Sequence, residues 1–462
     1  MLCPCGEVDE MKKKYSNVLI WLCWLIYACS YIGKINYAAN INLIMDFYHV
    51  EKAEAGLVST FFFFAYGIGQ VVHGLFCKKY NIRWMIFGSI LVSAATNIVV
   101  GVCTEFEIVK YVWLINGFCM AILWPTLIRA LTETLARDRM KKATITMGTT
   151  VAVGTFFTYA LSAFLSALSI DFKTVFYAAA AIFVVVAALW VIFYPVLVKK
   201  IKAEESEEEE EIAPAQTQAA PKKQTLAKSL ILLCIITLGI YGVATNLVKD
   251  GLTTWMPTIL KEQYHLHDSV SIILTLALPV VSIFGNALAV KMHKKFPDFA
   301  LQCAFNFAVA GYIIAGVIAG LSFNQFVLTL VGFAAVCLLV SSCNSVITSV
   351  FPMFMKGKIN SGKVAGILNG CCYLGSTITS YGLGAIADNF GWYPVFWLLF
   401  GVCALVCVIA GVYAAIKAKL EKSVEVAEES ALPAETQSVE ETGKALEEVA
   451  QADDADGQEA VE

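Results

Sequence analysis

Apolar residues in this chain fall into long runs separated by short polar connections, and each run matches the thickness of a lipid interior. A helix needs about 20 apolar residues to cross roughly 30 Å of hydrocarbon. A membrane-spanning strand would instead be short and strictly alternating, and these runs are neither. Twelve helical spans are predicted: Ser16–Ile44, Ala53–Cys77, Trp84–Cys103, Ile108–Leu135, Ala143–Leu168, Val175–Val198, Ser229–Leu260, Val270–Met292, Ala300–Leu321, Gln325–Met355, Val364–Ala387 and Pro394–Ile416. An even number of crossings puts both termini on one side. The expected class is an all-α membrane protein with twelve transmembrane helices in two halves of six.

The polar connections supply the organisation. Glu204–Lys228 opens on an acidic run and continues through Ala, Pro, Gln and Thr, without the apolar periodicity of a packed element. It reads as a solvated linker between two repeats related about the membrane normal. The predicted boundaries are an N-terminal tail over 1–15, a first bundle over 16–198, an acidic linker over 199–228, a second bundle over 229–417 and an acidic tail over 418–462. Lysine and arginine collect at alternate connections: Lys12 to Lys14, Lys78 to Arg83, Arg137 to Lys142, Lys199 to Lys202, Lys291 to Lys295 and Lys356 to Lys363. The other connections carry little beyond Lys52, Lys110, Lys173 and Lys261. Basic loops stay in the cytoplasm, so both termini are expected there, in a multi-pass protein of a bacterial plasma (inner) membrane.

Composition agrees with the pattern. Hydrophobic residues make up 58% and charged residues 15%, against about 45–50% and about 25% in soluble domains, so lipid must cover part of the apolar surface. The formal net charge of −4 comes from the acidic linker and tail and implies no partner. The first run is too long for a cleavable signal and contains Lys34 and Asn36. The 15 cysteines are scattered without ligand-like or disulfide-like spacing; Cys3 and Cys5 read as part of an inert tail. No cofactor or metal is expected. Partners are the bilayer and a small anionic solute, with no nucleic acid, and the chain is expected to act as a monomer.

Ionisable groups inside apolar spans are costly, by at least about 2.5 kcal/mol on insertion scales, and normally face a cavity or a partner. Lys34 lies within Tyr31-Ile-Gly-Lys34-Ile-Asn36-Tyr37, and Lys249 within Asn246-Leu-Val-Lys249-Asp250-Gly251. Each stands about 20 residues, or roughly 30 Å of helix, from the cytoplasmic start of its span. The first and seventh spans are equivalent in the two repeats, so the lysines are expected to converge on the pseudo-twofold axis and hold an anion between them. The competing reading has each lysine reach an interface or pair with a local acid. Asp250 is the acid at hand for Lys249, although adjacent helical residues point about 100° apart, which argues against direct pairing.

Tyr27, Tyr31, Asn36, Tyr66, Gln70, Asn246, Asn369 and Tyr373 add polar groups to apolar spans, as cavity lining or as hydrogen bonds between helices. Arg129 and Glu133 share a helix face and are expected to pair. His73 is expected to be packed rather than proton-carrying. There is no phosphate-binding Gly-rich loop and no nucleophile–base pair, so no enzymatic activity is expected and transport would draw on gradients.

The residues around the two lysines resemble a known family. Tyr31 to Tyr37 is similar to the Tyr-x-x-Arg-Lys-Asn-Phe stretch in the first helix of the organophosphate:phosphate antiporters of the major facilitator superfamily. Lys249, ahead of Trp255-Met-Pro257-Thr258-Ile-Leu260, resembles the arginine those proteins carry before Trp-Ser-Pro-Thr-Tyr-Leu. Ala65-Tyr66-Gly67, Trp124-Pro125 with Arg129, Tyr373-Leu374-Gly375 and Asp388-Asn-Phe390-Gly391-Trp392 match in order across both halves. The resemblance implies the major facilitator fold and exchange of a sugar or glycerol phosphate for inorganic phosphate. Solute contacts are expected from Lys34, Lys249, Tyr31, Asn36, Tyr66, Gln70, Trp124, Asn246 and Tyr373. Both central cations are lysines here rather than arginines. Gln70, Val151 and Leu274 stand where the family has a lysine, a histidine and an acid, and Asp250 is an addition. The loop Gly74-Leu-Phe-Cys77-Lys78-Lys79-Tyr-Asn-Ile-Arg83 lacks the family's acid at Cys77. Two alternatives follow: a proton-coupled carboxylate carrier with Asp250 as the coupling acid, and a transporter-like sugar-phosphate receptor.

Overall fold

The computed structural model describes residues 4–76, 79–205, 224–355 and 361–422. Cys3, Cys77, Lys78, Lys356, Lys358, the body of the acidic linker and the tail beyond 422 lie outside them. The described residues are helical, with no strand among them. Eleven helices are long and apolar enough to cross a membrane. In chain order these are α1 (Lys14–Ala39), α2 (Lys52–Phe76), α3 (Ile82–Val102), α4 (Phe106–Thr134), α5 (Lys142–Ala167), α6 (Lys173–Ile201), α7 (Ser229–Tyr264), α8 (Asp268–His293), α9 (Phe299–Ser322) and α10 (Phe326–Val350), with α12 (Trp392–Lys422) the last. Between them runs α11 (Ser361–Phe390), 30 residues long and so rich in Gly, Ser, Thr and Asn that it falls short on composition alone. Ser376, Thr379 and Ser380 are turned inward, so the helix keeps its polar groups from lipid.

Two compact units emerge: Met1–Gln216 with Ile235–Val408, and Thr217–Cys234 with Ile409–Glu462. In the smaller unit Lys417 pairs with Glu421 one turn on, at 3.8 Å.

Caps and breaks follow local chemistry. Asn81 accepts from the Trp84 amide (3.3 Å) and Asp298 from the Ala300 and Leu301 amides (2.9 and 3.0 Å), so α3 and α9 begin with their free N–H groups satisfied. At the opposite end of the bundle α7 closes on His265 (φ 53°), α9 on Asn324 (φ 51°), α5 on Ser169 (φ 56°), and the short helix Ile41–Tyr48 that extends α1 closes on His49 (φ 55°). Four spans are interrupted by turns, α5 among them at Gly148–Thr149. The α4 break at Ala121–Ile122 precedes Pro125 and the α8 break at Leu276 precedes Pro279, each proline lacking an N–H and crowding the carbonyl four residues back. In α1 the break falls at Tyr31, one turn before Lys34.

Packing between spans relies on glycine at close crossings. A Cβ on Gly56 would lie 2.2 Å from the Ser380 carbonyl oxygen, and one on Gly375 would lie 2.1 Å from that of Val243. These two positions let α11 run directly against α2 and α7. Buried amides and hydroxyls join the helices elsewhere. Asn36 donates to Asn97 Oδ1 (2.8 Å), Ser93 donates to Asn116 Oδ1 (2.6 Å), and Asn116 donates to the Gly33 carbonyl (2.9 Å), tying α1, α3 and α4 together.

Candidate functional site

A cavity of about 1130 Å³ lies among the helices of the larger unit. Its mouth is at the lysine-rich end, where Gly74, Lys291 and Lys294 line it, and it reaches inward to Trp113 and Thr254. Its two walls differ. Tyr27, Tyr31, Phe62, Phe63, Trp113 and Trp124 from α1, α2 and α4 make one side aromatic; Asn246, Ser282, Asn286, Ser341, Asn344 and Thr348 from α7, α8 and α10 make the other a surface of amides and hydroxyls.

Lys34 and Lys249 both line this cavity. The break in α1 brings Lys34 into an aromatic box. Its Nζ stands 4.0 Å from the centre of the Tyr66 ring, 5.0 Å from Tyr31, 5.1 Å from Tyr373 and 6.0 Å from Phe62. It also donates to Tyr373 Oη at 3.3 Å. Ring faces attract a cation through their quadrupoles while leaving its remaining N–H groups available to an oxygen anion.

Lys249 is held differently. Its Nζ lies 3.6 Å from Asp250 Oδ1, which corrects the expectation that neighbouring side chains diverge too far to pair. The Cα–Cβ bonds do diverge, but four methylenes give lysine the reach to curl back. Asp250 Oδ2 accepts from Ser376 Oγ at 2.5 Å, and Ser376 Oγ accepts from Asn246 Nδ2 at 3.0 Å. Asn344 donates to Asn246 Oδ1 at 2.9 Å, completing a chain from α10 through α7 to α11.

The far end of the bundle is closed by polar contacts. Lys52 at the start of α2 pairs with Glu262 (3.0 Å) and Asp388 (3.5 Å), and Asp388 accepts from the Lys52 and Ala53 amides (3.2 and 2.6 Å). An anion at a helix N-terminus gains from both the free N–H groups and the helix dipole. A second cluster joins Lys261 to Asp46 (2.7 Å) and Asp268 (3.2 Å), with Asn42 bridging Asp268 and Thr258. Three of the few basic residues expected on that side, Lys52, Lys110 and Lys261, are thus paired; Lys110 meets Glu107 and Glu54. Lys173 covers the Phe47 ring at 4.0 Å.

Antiparallel spans joined by tight polar turns around a central cavity specify a fold, and residues 23–361 match the Major Facilitator Superfamily. The chain belongs to that family. Its apolar helices make it a multi-pass membrane protein, and several relatives in sequence are named for hexose or sugar phosphates. The membrane sensor protein UhpC of Escherichia coli (strain K12) is 24% identical over 131 residues, 28% of this chain and 30% of that protein. A probable hexose phosphate transport protein of Chlamydia pneumoniae is 25% identical over 29% of each chain. Each aligned stretch thus spans under a third of the relative's length. Sugar phosphate exchanger 3 of Bos taurus is 22% identical over 74% of this chain and 76% of its own. In fold, the chain is similar to a bacterial homologue of the human lysosomal transporter Spinster, with a TM-score of 0.63 at 15% identity, covering 88% of this chain and 97% of that one.

Within this superfamily member the expected site residues separate into three groups. Lys34, Lys249, Asp250, Tyr31, Gln70, Trp124, Asn246 and Tyr373 line the cavity; Gln70 also donates to the Ala121 carbonyl at 3.1 Å. Tyr66 lies beneath the Lys34 ammonium rather than on the cavity surface. Asn36 does not line the cavity; fully buried, it joins α1 to α3, because two residues from Lys34 is about 200° around the helix and turns it to the neighbouring helix. His73 is packed, with ring nitrogens 3.1 Å from Tyr80 Oη and 3.2 Å from the Phe118 carbonyl. Arg129 pairs with Glu133 at 2.6 Å, as its spacing implies. Sequence reasoning passed over Ser341, Asn344 and Ser376. The run Ser341-Ser342-Cys343-Asn344-Ser345 inside an apolar span was the available signal.

Proposed function

We propose that the chain is an alternating-access carrier of a small organic anion that exchanges a sugar or glycerol phosphate for inorganic phosphate across a bacterial plasma membrane. In this reading the bundles 16–198 and 229–417 rock about the central cavity, with the lysine-rich mouth toward the cytoplasm. The observation that carries it is that Lys34 from α1 and Lys249 from α7 face one aqueous-sized chamber. Lys249 has Asp250 beside it, but Lys34 has only aromatic rings and a neutral hydroxyl, and an anion in the chamber relieves the cost of that charge in a poorly solvated space. The similarity to a probable hexose phosphate transport protein and to a sugar phosphate exchanger supports the same solute class. In proteoliposomes, internal phosphate should accelerate uptake of labelled hexose or glycerol phosphate. Equal uptake into empty and phosphate-loaded vesicles would remove exchange from the mechanism.

Asp250 on the cavity wall favours a second reading, a carboxylate carried with a proton. There a pH gradient, and not internal phosphate, would drive uptake. The match to a membrane sensor favours a third, a receptor that binds a sugar phosphate without moving it. Saturable binding with no counterflow would select that one.

A further inference from the structure

We infer that Asp250 sets the valence of the solute: the binding chamber selects a monoanion over a dianion of the same shape. The inference rests on the anion-carrier reading above and adds a charge rule to it. Lys249 and Asp250 face each other at 3.6 Å. Asp250 is held as an acceptor by the Ser376 hydroxyl at 2.5 Å, and Ser376 is itself fixed by the Asn246 amide at 3.0 Å. A serine hydroxyl has one proton to donate, and this arrangement gives it to the carboxylate. The Lys249 charge is therefore balanced before any solute arrives.

Lys34 is the cation left over. Aromatic rings surround it, its hydrogen-bond partner is the neutral Tyr373 hydroxyl, and no carboxylate lies within ion-pair distance among the described residues. Besides Lys249 on its own helix, the titratable groups near Asp250 are Tyr31 and Lys34 from α1, Tyr159 from α5, Cys337 from α10, and Cys372 and Tyr373 from α11. Of these only the lysines are cationic. Lys291 and Lys294 also line the cavity, but at its exposed mouth, where water and salt screen them. The deep chamber thus presents one unbalanced positive charge. A monoanion on Lys34 closes the balance, whereas a dianion leaves one negative charge in a space short of water.

Phosphate and sulfate monoesters of one sugar separate charge from shape. A sulfate ester is a monoanion at every working pH; a phosphate monoester passes from monoanion to dianion with a second pKa of about 6. The experiment measures counterflow and direct binding by the full-length protein in liposomes, with glucose and glycerol esters of both kinds, at pH 5.5 and pH 8. We expect the phosphate-to-sulfate preference of the wild type to fall by about tenfold between the two pH values. In Asp250→Asn the chamber gains a charge, and the preference for the phosphate ester at pH 8 should rise by about tenfold. Asp250→Glu should restore the wild-type ratio. Because each value is a ratio within one preparation, expression and folding cancel. A wild-type preference for the dianion at pH 8, or a ratio unchanged in Asp250→Asn, overturns the valence rule and leaves the anion carrier standing. If the wild type neither binds nor moves any of these esters, the carrier reading fails and takes the rule with it.

Discussion

At the residue scale, the two lysines are unlike each other, and single substitutions should reveal it. Lys34→Gln removes the uncompensated cation that the described residues place deep in the chamber and should reduce anion binding to background. Lys249→Gln should also lose binding, for a different reason: it leaves Asp250 facing the solute without a counter-charge. Removing one partner of a poorly solvated pair is costly because the other charge remains. The double variant Lys249→Gln with Asp250→Asn should therefore recover a measurable part of the binding that Lys249→Gln loses. Equilibrium binding of a labelled phosphate ester checks this. No recovery would mean that Lys249 contacts the anion directly and that its pairing with Asp250 is incidental. Lys34 and Lys249 were legible in the sequence because a charge in an apolar run has few explanations. Asn36 was not, because an amide turned toward a cavity and one turned toward a neighbouring helix both avoid lipid and leave the same trace.

At the element scale, α11 is the helix whose composition and position matter most together. It is too polar to qualify as a span alone, yet it brings Tyr373 to Lys34, Ser376 to Asp250 and Asp388 to the start of α2. Close approach depends on Gly375, where a Cβ would meet the Val243 carbonyl oxygen at 2.1 Å, whereas one on Gly382 in the same helix would meet nothing within 4 Å. Gly375→Ala should force α7 and α11 apart, at a cost of about 1–3 kcal/mol. Gly382→Ala should be neutral or slightly stabilising, since alanine is the better helix former. Thermal unfolding in detergent compares the two directly; equal melting temperatures would show that the crossing tolerates a methyl group. The breaks in α4 and α8 were readable from Pro125 and Pro279. The break at Tyr31 had no such mark, because neither glycine nor proline stands at the break itself.

At the scale of the whole molecule, the cavity is open at the lysine-rich end and the opposite end is held by two ion-pair clusters. Asp388 does double duty there, pairing with Lys52 and accepting from the first amides of α2. Asp388→Ala should free that helix start and shift the population toward opening at the sealed end. Hydrogen exchange should then quicken over residues 52–60 and slow around the lysine-rich mouth. Faster exchange confined to residues 52 and 53 would mean a lost cap without any change of state. Surface ion pairs are worth little singly, so the combined loss of Lys52 and Lys261 should shift the equilibrium further than either alone.

The sequence by itself determined the number and order of the spans, the basic and bare ends of the bundle and the depth of the two lysines. All of these follow from the cost of placing charge or unpaired backbone in hydrocarbon, and that cost acts on each segment separately. Only the tertiary structure decided which polar groups share a chamber, that Asp250 takes Lys249 for itself, and that four aromatic rings from three helices collect around Lys34. Those outcomes depend on how helices rotate and cross, which is set by packing between segments distant in the chain.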